Sequence, residues 1–415
     1  MTHGMVRAPQ PEAVEAGALV LRDGGNAVDA AVACALVQTA VDPQMCGIAG
    51  FGSLHIHAPA LGVHQVLDFH SRAPLAARED MWADLVEAET EDGFGFVLEG
   101  RVNEIGYPSI TTPMTLKALS TALERWGTRP LAELIQPAIG YAEDGFMIRP
   151  HVAYYWSLKS DSGRVSTLQR LQSSSETRRI YLKADGSLRQ PGEVLRNPDM
   201  ARTYRRIAEH GAEDFYHGQL AEEIAADMAA NGALMSGEDL AAVALEDGEP
   251  LWGSYRGRRV ASNPPPGGGV MVLEMLNILE HFDLAAMSHN SPDYIATVSE
   301  AMKIATVDKD RQVALLGDVS DHPVRRRQTR TADRRAGRHL HHHGRAAGYP
   351  QRHRFRHGRA AGGVGAALLH HLGRDRRDQP DPAFRAARAG GQGLPGAPLL
   401  PRLPLRRGTR DPPER

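Results

Sequence analysis

With 415 residues, 42% of them hydrophobic, the chain is long enough for one large domain or two ordinary ones with a core to bury. Its formal charge of −2 hides an asymmetry: residues 1–324 hold 26 Lys and Arg against 44 Asp and Glu, whereas residues 325–415 hold 22 Arg and no Lys against 6 acids, which predicts a boundary at Val324. Two cysteines, Cys34 and Cys46, exclude a disulfide framework, and no apolar run is long enough for a bilayer span or a signal peptide, so a soluble, cytoplasmic chain with no membrane partner is expected.

Pro11 to Arg22 reads as a first helix, with Ala13, Val14, Ala16, Gly17, Val20 and Leu21 inward. The next stretch, DGGNAVDAAVACALVQTAVDPQMCGIAGFG (Asp23–Gly52), is the most distinctive in the chain. Gly24 and Gly25 allow a sharp approach, and Asn26 stands where a helix N-cap is wanted. The helix that follows is apolar nearly all round, which implies burial on more than one side, and Pro43 ends it. Gly47, Gly50 and Gly52 mark a loop where backbone passes close to something, and no Gly-Lys-Ser/Thr follows to make it a phosphate cradle. Taken alone, this is a packed helix-turn-strand unit that requires no chemistry.

Ser53, His55 and His57 then alternate with Leu54, Ile56 and Ala58 as in a strand, and Val63–Phe69 is a second strand running into HSRAP. Helices are predicted over Met114–Trp126, with Leu116, Leu119 and Leu123 on one stripe, and over Leu131–Ala142. Residues 158–190, polar and rich in Ser and Arg, read as a mobile excursion. Asn197 caps a helix through Ala208, and Leu220–Asn231 forms another. Val260 and Ala261 close a strand before Pro264–Gly269, Met271–Phe282 is helical, and Pro292 opens a last helix that runs to about Asp310. No βαβ repeat emerges, so the fold class is α+β.

Seven segments, taken in order, carry a likeness to a known family: GMVRAPQPEAVEAGALVLRDGGNAVDAAVA (Gly4–Ala33), DPQMCGIAGFG (Asp42–Gly52), VLDFHSRAP (Val66–Pro74), LIQPAIGYAEDGF (Leu134–Phe146), GEVLRNPDMARTYRRIAEHGAEDFYHGQLAEEI (Gly192–Ile224), NPPPGGGVMVLEMLNILEHFDL (Asn263–Leu284) and EAMKIATVDKDRQVALLGD (Glu300–Asp318). Through them the chain resembles the large-subunit portion of the gamma-glutamyltranspeptidases, within the N-terminal-nucleophile hydrolase superfamily. The resemblance implies a four-layer αββα sandwich, made as one precursor that cuts itself in two. The new N-terminal threonine of the small subunit is then the nucleophile, its own α-amine the base, and backbone N–H groups hold the oxyanion. It also implies no metal or other cofactor, and a small-molecule amide as partner: a gamma-glutamyl compound such as glutathione, or the substrate of a related acylase or amidohydrolase.

The sequence departs from the family pattern in two places. Where transpeptidases carry Asp-x-Arg-Glu-x-Ala-Pro, with the arginine on the substrate's α-carboxylate, Asp68–Pro74 reads DFHSRAP, placing His70 at the arginine position and Ser71 at the glutamate. A neutral imidazole cannot grip a carboxylate as a guanidinium does. Arg72 is the other substrate-binding candidate, although on a strand residues 70 and 72 would share a face without sharing a position.

The second departure follows Asp318, where the family's threonine-bearing junction is replaced by Arg338-His339-Leu340-His341-His342-His343-Gly344. Four readings meet here. Adjacent histidines on a loose segment, with His370 and His371 later, do not converge as a metal site does. An arginine-rich arm would bind nucleic acid only non-specifically. An inert disordered extension fits the composition, since the segment has no Ile, Met, Asn, Trp or Cys. The fourth is a shifted reading frame: one base later, Arg338–His343 can encode Gly-Thr-Ser-Thr-Thr-Thr, the residues that the resemblance requires. That reading leaves the chain with no nucleophilic threonine, hence inactive, with apolar strand faces uncovered and poor solubility. A non-catalytic scaffold with a basic tail is the competing class of function.

Overall fold

The computed structural model describes residues 4–91, 95–159 and 163–316, with side chains to residue 309. These residues all fall within one compact unit. The expected basic tail, 325–415, lies outside the described residues, as do the readings of its histidines.

The chain opens with α1 (Pro11–Arg22) and α2 (Ala27–Val41), where the periodicity places them. Asn26 accepts from the Val28 and Asp29 N–H groups while the Asp29 carboxylate accepts from Asn26 N–H, a full capping box. Ala30, Val32, Ala33, Leu36, Val37 and Val41 of α2 are all buried. α1 lies directly on α2, because at Gly17 a Cβ would meet the Ala30 carbonyl at 2.8 Å. Two antiparallel strands follow, β1 (Gly52–Ala58) and β2 (Val63–Phe69), in a register that sets Ser53 opposite Asp68 and His57 opposite His64. After them come β3 (Val86–Glu89), β4 (Phe96–Leu98), α3 (Thr115–Trp126), α4 (Leu131–Leu134) and α5 (Gln136–Asp144). The single helix predicted over 131–142 is therefore two. Pro137 lacks the N–H that would bond back into the preceding turn and its ring crowds that turn, so the helix restarts at Gln136.

The middle of the chain holds β5 (Phe146–Met147), α6 (Pro150–Trp156), α7 (Thr167–Gln172), α8 (Ser175–Tyr181) and β6 (Val194–Leu195). Within the stretch read as a mobile excursion, 158–190, the described residues thus include two helices. Ser166 and Ser174 cap α7 and α8, and Leu171, Ile180 and Tyr181 pack onto the core. Next come α9 (Pro198–His210), capped by Asn197 as expected, α10 (Asp214–His217), α11 (Gln219–Ala230), α12 (Gly237–Ala241) and β7 (Glu246–Gly248). The hairpin β8 (Leu251–Tyr255) and β9 (Arg258–Ser262) leads into α13 (Gly269–Leu279) and α14 (Pro292–Leu316).

One core joins the helices from α1 to α12, with Leu36, Leu116, Ile135, Trp156, Tyr204, Ile207 and Tyr216 sealed from solvent. Each such aliphatic side chain contributes about 2 kcal/mol by leaving water. The principal sheet, ordered β1-β2-β7, is antiparallel throughout, as are the smaller pairings among the described residues, in keeping with the α+β expectation. α3 covers one face of this sheet through Phe69, Met114 and Ala118. On the other face β1 exposes Ser53, His55 and His57. The exposed face of β1 is therefore polar, while apolar residues stand exposed on other strands, among them Val86 of β3, Phe96 of β4 and Trp252 of β8.

Candidate functional site

β2 delivers DFHSRAP to one corner of the sheet. The strand ends at Phe69, so His70 and Arg72 lie past it on extended loop and do not share a strand face. Asp68, the last polar residue of β2, receives two bonds from His70: the imidazole Nδ1 lies 2.6 Å from Asp68 Oδ1, and the His70 backbone N–H donates to the same oxygen at 2.9 Å. An ionised carboxylate only accepts, so Nδ1 carries the hydrogen and Nε2 is left without a hydrogen-bond partner among the described residues. The Phe51 ring stands 6.0 Å from the imidazole, centroid to centroid, and is 66% exposed.

Arg72 turns away to β7. Its Nη2 donates to Glu246 Oε1 at 2.7 Å, with both side chains about half exposed. Glu246 pairs in register with Asp68, so the sheet itself carries the Arg72 partner to this corner. The Arg72 backbone is pinned independently: its N–H donates to Thr112 Oγ1 at 2.8 Å, and Thr112 N–H donates to the Arg72 carbonyl at 3.1 Å.

The third wall is the glycine loop before β1. Gly50 N–H donates to the Gly47 carbonyl at 3.0 Å. The Gly50 carbonyl accepts from Met114 and Thr115 N–H, and the Ile48 carbonyl from Leu116 N–H. Those donors are orphans of the α3 N-terminus, which has no side-chain cap, so loop carbonyls do the capping. A Cβ at Gly50 would lie 3.0 Å from the Gly47 carbonyl and 3.1 Å from Thr115 Oγ1, which accounts for the glycine.

The structure thus brings both sequence-predicted residues, His70 and Arg72, to one corner and gives each a carboxylate partner. Asp68 was legible, since it stands within the quoted motif. Glu246 was not, because a three-residue strand EDG has no readable pattern and lies 174 residues from Arg72.

Asp29 and Glu274 are among the carboxylates with displaced titration that stand apart from the corner. Burial pushes Asp29 up, but bonds from Thr128 Oγ1 and from the Asn26, Thr128 and Arg129 N–H groups outweigh it and hold the carboxyl below the usual range. Its partners are wholly structural. Glu274 on α13 is pushed up to about 7 by burial and by its hydrogen bond and like charge with Asp308 on α14. Among the described residues no group of three His, Cys, Asp or Glu is placed to hold a metal ion.

Residues 13–343 match the family model for gamma-glutamyltranspeptidase. The chain is 39% identical over 310 residues to the Acylase ACY 1 proenzyme of Pseudomonas sp. (strain V22), covering 74% of this chain and 53% of that protein. It is 33% identical over 307 residues to the Glutathione hydrolase proenzyme of Bacillus subtilis (strain 168), covering 74% of this chain and 49% of that protein. Helicobacter pylori gamma-glutamyltranspeptidase superposes with a TM-score of 0.65 at 33% identity, over 75% of this chain and 84% of that one. The chain therefore spans about half the length of the curated relatives it matches. The match runs through the buried α2, the glycine loop and the DFHSRAP corner alike, and the chain belongs to the gamma-glutamyltranspeptidase family.

Proposed function

We propose that residues 1–324 are the large-subunit region of an amide hydrolase or acyltransferase acting on gamma-glutamyl or related amides, and that residues 325–415 are translated out of frame. On this reading the acyl transfer belongs to a threonine of the small-subunit half, and this chain supplies the scaffold and substrate-side groups without the nucleophile. The observation that carries it is the corner itself: an imidazole oriented by Asp68, with Nε2 unpartnered among the described residues, beside a glycine loop and an arginine held by Glu246, in a chain of this family.

His70 is the residue we assign to substrate contact, through Nε2, with Arg72 as the second candidate. Arg72 reaches a substrate carboxylate only by leaving Glu246, an exposed pairing that costs about 0–1 kcal/mol to break. An acylase-type substrate is the second reading, and two observations favour it: His70 stands at the position of the transpeptidase arginine, and the acylase relative is 39% identical against 33% for the glutathione hydrolase of B. subtilis. Among the described residues no helix is long and apolar enough to cross a membrane, and the unpaired thiols of Cys34 and Cys46 support a reducing compartment, the cytoplasm.

The purified polypeptide is expected neither to split itself nor to hydrolyse a gamma-glutamyl anilide. Either activity would overturn the loss of the nucleophile. Resequencing the coding DNA around Val324 tests the frame, and an uninterrupted frame together with a tail peptide detected in cells removes its support. A frame-repaired protein assayed on gamma-glutamyl anilides and on simple acyl amides separates the two substrate classes. A scaffold function instead requires residues 1–324 to fold alone as a monodisperse species.

A further inference from the structure

A pocket of about 700 Å³ opens on the uncovered face of the sheet, lined by His55, His57, His64, Trp252, Arg259 and Ala261. It lies toward the far end of β2 from the candidate corner, about 20 Å from His70 along the chain. Strand geometry builds it. His55 and His57 share a face of β1, and the register places His64 of β2 opposite His57. In the β8–β9 hairpin Trp252 pairs with Ala261 and Ser254 with Arg259, so Trp252, Arg259 and Ala261 share one face, which meets the histidines side-on through Trp252 and His64.

The contacts within it are specific. His55 Nε2 and His64 Nε2 are 2.9 Å apart, so one ring donates to the other. The His57 and His64 ring centroids lie 4.4 Å apart, and the Trp252 ring stands edge-on to His64 at 4.9 Å. The Arg259 guanidinium carbon sits 4.0 Å from the Trp252 centroid. Arg259 forms no ion pair among the described residues, and no carboxylate lines the pocket. A guanidinium held in place by stacking, with its N–H groups unclaimed, meets three imidazoles and no anion.

A metal ion fits poorly, because the lone pair of one Nε2 is spent on its neighbour's N–H. An oxyanion fits well. Protonating the pair gives it a second N–H to donate, and an anion between the pair and Arg259 offsets the added charge. We propose that this pocket binds a small oxyanion, a phosphate or carboxylate group, seated between Arg259 and the His55–His64 pair and taken up together with a proton. The groups facing the pair are His57 from β1 and, from the hairpin, Arg259 and Trp252, none of them acidic; the carboxylates that the register places on the same sheet face, Asp68 of β2 and Glu246 of β7, are engaged by His70 and Arg72. Burial, followed by the neighbouring His64 and His57, already holds His55 below the usual histidine range, and a bound anion reverses that bias. Linkage then requires affinity to fall as pH rises through the neutral range. The site uses none of the residues assigned to substrate, so it stands independently of the proposed function.

Diethyl pyrocarbonate, which acylates neutral imidazole, tests this on the full chain when modification is read residue by residue from fragment masses. Inorganic phosphate at pH 6.5 is expected to slow modification of His55 and His64 several-fold, because the bound anion covers the pair and holds it protonated. The protection should vanish at pH 8.5 and in Arg259→Met, and persist in Arg259→Lys. Arg259 is exposed, so its replacement leaves the core intact, and circular dichroism checks that. A parallel titration with succinate decides whether phosphate or carboxylate is preferred. Equal protection in Arg259→Met, protection spread over all histidines alike, no protection by either anion, or protection by zinc ions in their place would each overturn the assignment.

Discussion

The α2 region and the DFHSRAP corner both place a carboxylate under hydrogen bonds, yet they use it in opposite ways. Asp29 is sealed from solvent and accepts from three backbone N–H groups and the Thr128 hydroxyl, so every lone pair is committed to holding chain segments together. Asp68 is partly exposed and serves one residue, His70, whose far nitrogen has no hydrogen-bond partner among the described residues. A satisfied buried carboxylate is architecture; a carboxylate that orients a group with spare valence is a candidate for chemistry. Displaced titration alone would have picked out Asp29, whose partners are structural, so geometry has to decide where chemistry can occur.

That contrast can be broken experimentally. The largest effect is expected at Asp29: Asp29→Ala strands the Asn26, Thr128 and Arg129 N–H groups and should cost about 3 kcal/mol in urea unfolding. The Asp29 carboxyl is depressed in the folded state, so its contribution is present above the unfolded pKa and lost as pH falls through the lower folded value. A variant with unchanged stability would remove the distinction between the two sites. Next is Glu274→Gln. The folded-state pKa of about 7 exceeds the unfolded value, so the stabilisation is complete below the unfolded value and disappears as pH rises toward 7. The glutamine variant should be more stable than the parent at pH 8 by on the order of 2 kcal/mol, and flatter with pH.

Tyr204→Phe is expected to cost about 1 kcal/mol. The Thr39 hydroxyl donates to the Leu36 carbonyl at 2.6 Å, so the Tyr204 hydroxyl must donate to Thr39, and only that bond is lost. The smallest effect belongs to the corner. A double-mutant cycle on Arg72 and Glu246 should return a coupling below about 0.5 kcal/mol. A coupling of several kcal/mol would make Arg72 a structural residue and withdraw it as a substrate candidate.

Much of the fold was legible because local chemistry and burial agree. α1 and β2 run where their periodicity places them, and the Asn26 and Asn197 caps hold the bonds expected of them. Legibility failed where a single residue or a distant partner decides. Pro137 splits the helix predicted over 131–142, and Ser166 and Ser174 start short helices in a stretch whose composition suggests loop. The site was half legible: the motif points to His70 and Arg72, but Glu246 arrives by strand pairing, which no local pattern encodes. The alternation of His55 and His57 was equally plain, whereas the pocket they line exists only once the β8–β9 hairpin folds onto them.

The bonds from Ile48 and Gly50 to the first turn of α3 tie the corner to the interior. α3 is anchored below by Leu116, Ala118, Leu119 and Leu123, so these two carbonyls hang the loop from a rigid post. A molecule pressing on Phe51 would push against the helical core and not against slack chain. Substituting the loop glycines should therefore loosen the opening turn of α3, read as faster amide exchange at Met114, Thr115 and Leu116.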